Sequence, residues 1–272
     1  MELDADLQLI AEGREAEIFA WEDGTVLRLL RNPNAQQQVE REARAMRAAT
    51  AAGVSVPAVH GTTTANGRPG LIMERIDGPD MIALIGQKPW RLLQVAGVFA
   101  AMQAQLHETP APEDLPLLNP LLRKRLESSD RVPKQLADFA IATLDELPQG
   151  DRLCHGDFHP GNIIMRGGET VIIDWTAASR GDPTADYART DLMLRLGELP
   201  PGTPFVVRAL ALVARTILRS MFARAYRSVR SIDADLLRRW EIPVITDRLA
   251  DGIEPERPKL LSIMEKRLAA NG

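Results

Sequence analysis

Three polar residues flank two short apolar runs in the second half of the chain. Asp157 and Asn162 come before the run Ile163-Ile164-Met165, and Asp174 comes directly after a second run of the same kind. The Gly167-Gly168 pair between the runs indicates a tight turn. The sequence therefore predicts a β-hairpin with Asn162 and Asp174 at its open end, and Asp157 in the loop that precedes it.

These residue types suit a magnesium-dependent phosphoryl transfer. Magnesium prefers a few hard oxygen ligands and leaves its other positions to waters and substrate phosphates. In such reactions one Asp orients the acceptor hydroxyl and takes its proton, while an Asn and a second Asp hold the metal. Because the same residue types also form turns, the three residues taken alone leave both interpretations open.

The composition is that of a globular protein. The 272 residues suit one large domain or two lobes, and 45% of them are apolar. The net charge of −4 predicts no nucleic-acid partner and no membrane partner. A single cysteine, Cys154, excludes an internal disulfide. We find neither a signal peptide at the acidic N-terminus nor a long apolar run, so a soluble, cytoplasmic protein is expected.

The N-terminal part has the pattern of strands with one helix. An Asp23-Gly24 turn separates two apolar runs, which indicates a hairpin. Asn34 is a candidate helix N-cap, and Gly53 ends the helical pattern. A short strand at 71–73 then leads into a polar connector. The apolar spacing of the remaining chain is mainly helical, over 90–106, 117–127, 134–146, 184–197, 205–229, 233–250 and 256–269.

Three segments resemble the motifs of the aminoglycoside-phosphotransferase and choline-kinase family. They are His155-Gly156-Asp157-Phe158-His159-Pro160-Gly161-Asn162, Ile172-Ile173-Asp174-Trp175 and Gly181-Asp182-Pro183-Thr184-Ala185-Asp186. The resemblance implies an α+β, protein-kinase-like bilobal fold. A small antiparallel β-sheet lobe over 1–75 would bind the nucleotide, and an α-helical lobe over 76–272 would carry catalysis and the acceptor.

The resemblance also implies roles for these residues in a small-molecule kinase. Asp157 would be the catalytic base, with Asn162 and Asp174 as Mg²⁺ ligands. Asp186 would brace the loop through backbone N–H groups. The phosphoryl donor would be ATP, with GTP possible, and a hydroxyl of a small metabolite or antibiotic would be the acceptor.

The N-terminal part matches the family's nucleotide-binding residues more loosely. Gly13 lies in a segment that resembles the phosphate-covering loop, although a plain hairpin turn explains one glycine equally well. Arg28 stands where the family places a cation, often Lys, and its forked guanidinium can still bind phosphate. Glu42 would pair with that cation, and Glu40 is the competing choice.

The segment Met73 to Ile76 resembles the hinge between the lobes. The resemblance implies that the backbone at Glu74 and Ile76 binds the adenine edge, next to Met73. His155 is expected to anchor the loop. His107, at a helix end, is expected to need no ligand, and Cys154 is expected to be a buried small residue.

The acceptor is left open by the sequence. Arg208, Arg215, Arg219 and Arg230 fall within about 60° on a helical wheel. This cluster indicates either a solvated face or a surface for an anionic acceptor or a partner, whereas acids at Asp182, Asp191 and Glu198 would suit an amine.

Two other functions compete with an active small-molecule kinase. The first is a nucleotide-binding pseudokinase acting as a regulatory module, which the intact Asp157, Asn162 and Asp174 disfavour. The second is a protein kinase. It is disfavoured because only a short segment, 176–180, separates Trp175 from Gly181, which leaves no room for a long activation segment.

Overall fold

The computed structural model describes residues 7–13, 15–196 and 205–271. The chain forms two compact units. The first unit comprises residues 1–84 and 160–178, and the second comprises residues 85–159 and 179–272. The hairpin segment thus belongs with the N-terminal sheet, while the division into functional lobes at residue 75 stays a prediction.

An antiparallel five-stranded sheet dominates the first unit. Its spatial order is β1-β2-β3-β5-β4, and the strands are β1 (Leu9–Glu12), β2 (Ala16–Ala20), β3 (Thr25–Leu30), β4 (Val59–Ala65) and β5 (Arg68–Glu74). Gly24 has φ +71°, which a left-handed turn requires, so the predicted hairpin at Asp23-Gly24 is confirmed. Leu27 and Leu29 of β3 are fully buried and form the centre of the sheet's core.

Helix α1 (Gln36–Ala51) packs its apolar face inside the first unit. The predicted helix is confirmed, but Asn34 as its N-cap is wrong. Ala35 occupies the N-cap position, because Asn34 lies in a turn where its own N–H donates to the Asn32 side chain at 3.0 Å. The sequence pattern predicts an extended piece from Val54 to Val59, whereas strand β4 begins at Val59 and runs to Ala65. It lies at the sheet edge and its Thr and Gly residues give little apolar alternation.

The second predicted hairpin is also confirmed, as β7 (Ile163–Arg166) and β8 (Glu169–Ile172). β6 (Arg152–Cys154) precedes it in the chain and pairs with β9 (Ser179–Gly181) in the second unit. Met165 N–H donates to Pro79 O at 2.9 Å, so the polar connector packs along β7. A Cβ on Gly78 would lie 2.2 Å from Met165 O, which explains the glycine there.

The second unit is mainly helical. Its helices are α3 (Leu92–Glu108), α4 (Leu118–Ser128), α5 (Lys134–Asp145), α6 (Pro183–Leu196), α7 (Phe205–Val229), α8 (Ala234–Ala250) and α9 (Arg257–Asn271), while the short α2 (Met81–Gln87) crosses the boundary between the units. These bounds confirm the predicted helices to within two residues. Trp240 and Ile245 of α8 are fully buried in the core. None of the helices in the described ranges is both long and apolar enough to cross a membrane.

Candidate active site

The loop that carries Asp157 lies in the second unit, directly after β6. We call residues 155–159 the Asp157 loop. Gly156 has φ +78°, a left-handed conformation that a side chain would strain. Asp186 of α6 accepts hydrogen bonds from two successive backbone N–H groups, from His155 at 3.2 Å and from Gly156 at 2.7 Å. The expected bracing of the loop by Asp186 is therefore confirmed.

The Asp157 carboxylate is about one-third exposed. Its Oδ2 lies 3.6 Å from His159 Nε2. Burial alone would raise the pKa of Asp157, but the hydrogen bond from His159 and the positive charge of Arg189 hold it well below its usual range. The Asp157 N–H donates to His155 Nδ1 at 3.2 Å, which confirms His155 as a loop anchor. The side chain is thus an ionised hydrogen-bond acceptor held by its own loop.

Phe158 fixes the other side of Asp157 in the core. Its ring is buried and stacks on Phe99 of α3 at 4.7 Å between centroids. Its carbonyl accepts a 2.9 Å hydrogen bond from the Thr190 hydroxyl of α6. Sequence reasoning missed this anchor, although a Phe among polar loop residues is the signal that could have revealed it.

Asn162 and Asp174 both lie in the first unit, at the open end of the β7–β8 hairpin. Ile163 pairs with Ile172, and Ile173 N–H donates to Asn162 O at 2.9 Å, so the register brings the two residues to the same end. Asn162 is buried, whereas the Asp174 side chain is 42% exposed. Asp174 has φ +60°, an uncommon conformation for a residue other than glycine.

Arg28 of β3 lies between Asp174 and α1. Its Nη1 donates to Glu42 Oε2 at 2.8 Å, and its Nη2 lies 3.6 Å from Asp174 Oδ1. The alternative partner, Glu40, instead accepts a hydrogen bond from Gln36 on the helix surface. The structure therefore pairs Arg28 with Glu42.

Glu42 is almost completely buried. Burial raises its pKa to about 7 although the charge of Arg28 opposes the shift, and the nearby Asp174 carboxylate raises it further. Glu42 shares a helix face with the buried Val39 and Met46, and this spacing is the signal from which its burial could have been inferred.

The predicted hinge residues Met73 and Glu74 end β5, and Ile76 follows it. Glu74 N–H donates to Ala58 O at 2.8 Å. The Glu74 N–H is thus engaged within the first unit, and the adenine contact of this backbone stays a prediction. Arg166 and the Ala58 N–H bind the Glu74 carboxylate and hold its pKa below the usual range, although burial opposes the shift.

Gly13 forms the turn between β1 and β2, where its N–H donates to Ala16 O at 2.8 Å. Its neighbour Arg14 lies outside the described residues. A Cβ on Gly13 would meet Ala16 O at an ordinary 3.5 Å. The contacts are those of a hairpin turn, and the phosphate-covering role stays a prediction.

Cys154 is fully buried, as expected, and burial raises the pKa of its thiol well above the usual value. His107, for which the sequence indicates only a helix end that needs no ligand, has hydrogen-bond partners within the protein. It is also fully buried, and both its ring nitrogens have hydrogen-bond partners, Asp186 and Tyr226. The sequence showed only its place at a helix end, because its partners lie 79 and 119 residues away.

Most of the charged residues that could bind an acceptor form hydrogen bonds or ion pairs with other residues of the second unit. Asp191 binds Arg219 with two hydrogen bonds, at 2.6 and 2.9 Å. Asp182 accepts from Thr184 N–H at 2.7 Å, and Arg230 pairs with Glu108. Glu198 and the Arg208 side chain lie outside the described residues. Arg219 and Arg230 both have acidic partners, so the interpretation of this cluster as a merely solvated basic face does not apply to either of them.

Residues 6–196 match the model of the APH phosphotransferase enzyme family. None of the curated proteins matches the sequence significantly. Among solved structures, aminoglycoside phosphotransferase APH(4)-Ia is 17% identical, with a TM-score of 0.67 over 98% of this chain and 94% of that one.

Two further structures are similar. Amicoumacin kinase hAmiN, in complex with AMP-PNP, Ca²⁺ and Ami, is 14% identical, with a TM-score of 0.67 over 99% of this chain and 90% of that one. A putative fructosamine-3-kinase from Haemophilus somnus 129PT is 16% identical, with a TM-score of 0.64 over 97% and 90% of the respective chains. At these identities the likeness shows the fold, which confirms the expected kinase-like α+β architecture.

Proposed function

Since the chain belongs to the APH phosphotransferase enzyme family, we propose that it transfers the γ-phosphoryl group of a magnesium nucleotide to a hydroxyl of a small molecule. ATP is the proposed donor, with GTP as the alternative to test beside it. The acceptor is a small metabolite or an antibiotic. Asp157 is the proposed catalytic base, and Asn162 and Asp174 are the proposed metal ligands.

The position of Asp174 is the observation that carries this proposal. Its left-handed backbone is an uncommon conformation of the kind that clusters at functional sites, and it leaves the carboxylate exposed. Together with Asn162 it offers the carboxylate and carboxamide oxygens that magnesium prefers. The donor set therefore fits the ion, which would offset the charge of the β- and γ-phosphates.

The chain's own residues then have separate tasks. Arg28 carries a cation beside Asp174, and its pairing with Glu42 supports a role in holding the nucleotide phosphates. The ionised Asp157 accepts the hydrogen bond of the acceptor hydroxyl, orients it and takes its proton as the new bond forms. At the hinge, Met73 would flank the adenine while the backbone at Glu74 and Ile76 binds its edge, and Gly13 would lie near the phosphates.

A nucleotide-consumption screen tests the proposal. Purified protein is incubated with MgATP or MgGTP and with aminoglycosides, amino alcohols, sugars or hydroxy amino acids, and Asp157→Asn is run in parallel. At least one acceptor should accelerate consumption with the wild type and not with the variant. If the wild type binds the nucleotide but no acceptor yields a phosphorylated product, the protein is a regulatory module instead. If neither nucleotide raises the melting temperature, the kinase proposal is wrong.

A further inference from the structure

Helices α3 and α6 share a row of buried polar side chains. Gln103 and His107 are one turn apart on α3, and Asp186 and Thr190 are one turn apart on α6. All four are almost fully buried. We call these four residues the polar clamp. Buried polar groups are costly unless hydrogen-bonded. Each of these four side chains makes hydrogen bonds within the second unit, and Gln103 Oε1 is the one buried atom of the row without a partner among the described residues, so the row indicates a specific role.

The first half of the polar clamp is centred on His107. His107 Nε2 lies 2.9 Å from Asp186 Oδ2, and its Nδ1 lies 2.6 Å from the Tyr226 hydroxyl of α7. Burial alone would raise the pKa of Asp186, but the hydrogen bond from His107 and that from Gly156 hold it below the usual range. Because the carboxylate is ionised, Nε2 must donate to it. Burial raises the pKa of Tyr226, so its hydroxyl keeps its proton beside Nδ1.

The second half is centred on Gln103. Its amide nitrogen donates to Thr190 Oγ1 at 2.8 Å and lies 3.4 Å from Asp186 Oδ2. The Thr190 hydroxyl in turn donates to the carbonyl of Phe158. The Thr190 hydroxyl thus accepts a hydrogen bond from α3 and donates one to the Asp157 loop.

The two halves meet the loop on opposite sides of Asp157. Asp186 holds the N–H groups of His155 and Gly156, which precede it, and Thr190 holds the carbonyl of Phe158, which follows it. We propose that Gln103 and His107 are positioning residues, which set the backbone of Asp157 through Asp186 and Thr190 without touching the substrate. This proposal rests on the proposed function only in taking Asp157 as the reacting carboxylate.

Two threonine variants separate positioning from ordinary stability. Thr190→Val removes the hydroxyl that binds Phe158, while Thr246→Val removes an equally buried hydroxyl, which donates to Ile242 O within α8. Both changes keep the side-chain volume. Hydrogen exchange of peptides spanning residues 155–159 and turnover of MgATP are measured for each variant.

Thr190→Val should speed exchange in the loop peptides about 10-fold and lower turnover about 10-fold, with an unchanged KM for the nucleotide. Thr246→Val should do neither. If the two variants show the same loop exchange, or the same turnover, the positioning role is overturned.

Substitution of His107 gives a second comparison. His107→Gln retains an N–H that can reach Asp186, and His107→Leu does not. We expect turnover to fall about 100-fold with Leu and to be largely restored with Gln, and equal loss in both folded variants would overturn the proposal. If His107→Leu does not fold, the comparison of Thr190→Val with Thr246→Val decides whether the positioning role holds. The proposed function fails separately, when Asp157→Asn retains wild-type turnover while Thr190→Val still speeds loop exchange.

Discussion

The guanidinium of Arg28 donates a 2.8 Å hydrogen bond to the Glu42 carboxylate, and both side chains are buried in the first unit. A buried ion pair gains little net stability, because both charges lose their hydration. Its value lies in holding two groups in one geometry. The second terminal nitrogen of Arg28, 3.6 Å from Asp174, extends that geometry to the proposed metal ligand. A lysine would have to reach both groups from a single nitrogen atom, whereas Arg28 uses two.

Removal of Arg28 alone should destabilise the protein. Above about pH 8, where Glu42 beside Arg28 is ionised, Arg28→Met leaves this buried carboxylate without its cation, and a loss of about 3 kcal/mol in the free energy of unfolding is expected. The double variant Arg28→Met/Glu42→Gln should lose clearly less, because no unpaired charge remains. Urea unfolding measures both. A double variant at least as unstable as the single one would contradict the pairing.

The buried Glu42 should also make stability depend on pH. Because its pKa is raised to about 7 in the folded state, from 4.5 without the fold, folded Glu42 binds its proton more tightly. Its contribution to stability is fully present below pH 4.5 and is lost as the pH rises through 7. The wild type should therefore lose on the order of 3 kcal/mol relative to Glu42→Gln across this range. Glu40→Gln, on the surface of the same helix, is the matched control. If the difference in unfolding free energy between the wild type and Glu42→Gln does not change with pH, the burial effect is refuted.

Asp174→Asn should weaken binding of the magnesium nucleotide. The variant keeps the shape of the side chain but loses the charge that attracts the ion, so a rise of at least 10-fold in Kd is expected with Mg²⁺. Without Mg²⁺ the Kd should change little. Calorimetric titrations with and without the ion measure both values. Glu169→Gln, on the exposed part of the same hairpin, should behave as wild type. Equal weakening with and without Mg²⁺ would argue against Asp174 as a metal ligand.

Asp157→Asn should separate binding from chemistry. The amide cannot take the proton of the acceptor hydroxyl, so turnover should fall about 100-fold or more. Nucleotide binding should persist. At about 100 times Kd, the nucleotide should still stabilise the variant by about 2.7 kcal/mol. Thermal shift and turnover on one preparation test both statements, and turnover near the wild-type rate would exclude Asp157 as the base.

Much of this protein is determined by local sequence. Short apolar runs on either side of glycine turns predicted the β2–β3 and β7–β8 hairpins, and helical apolar spacing predicted the long helices, because these patterns arise within a few residues of each other. The phosphotransferase chemistry was indicated by the resemblance of three segments to the family's motifs, those that carry Asp157 and Asn162, Asp174, and Asp186. Where local signals are weak the prediction failed, as at the polar edge strand β4 and at the N-cap of α1.

Tertiary structure alone decided how the polar residues are used. Arg219 and Asp191 looked like opposite surface features and form one ion pair. His107 looked like a polar helix end and is a fully buried link between Asp186 and Tyr226. Partners of this kind are set by helix packing between residues far apart in the chain. Their hydrogen bonds have no periodicity along the sequence, so only the folded chain reveals them.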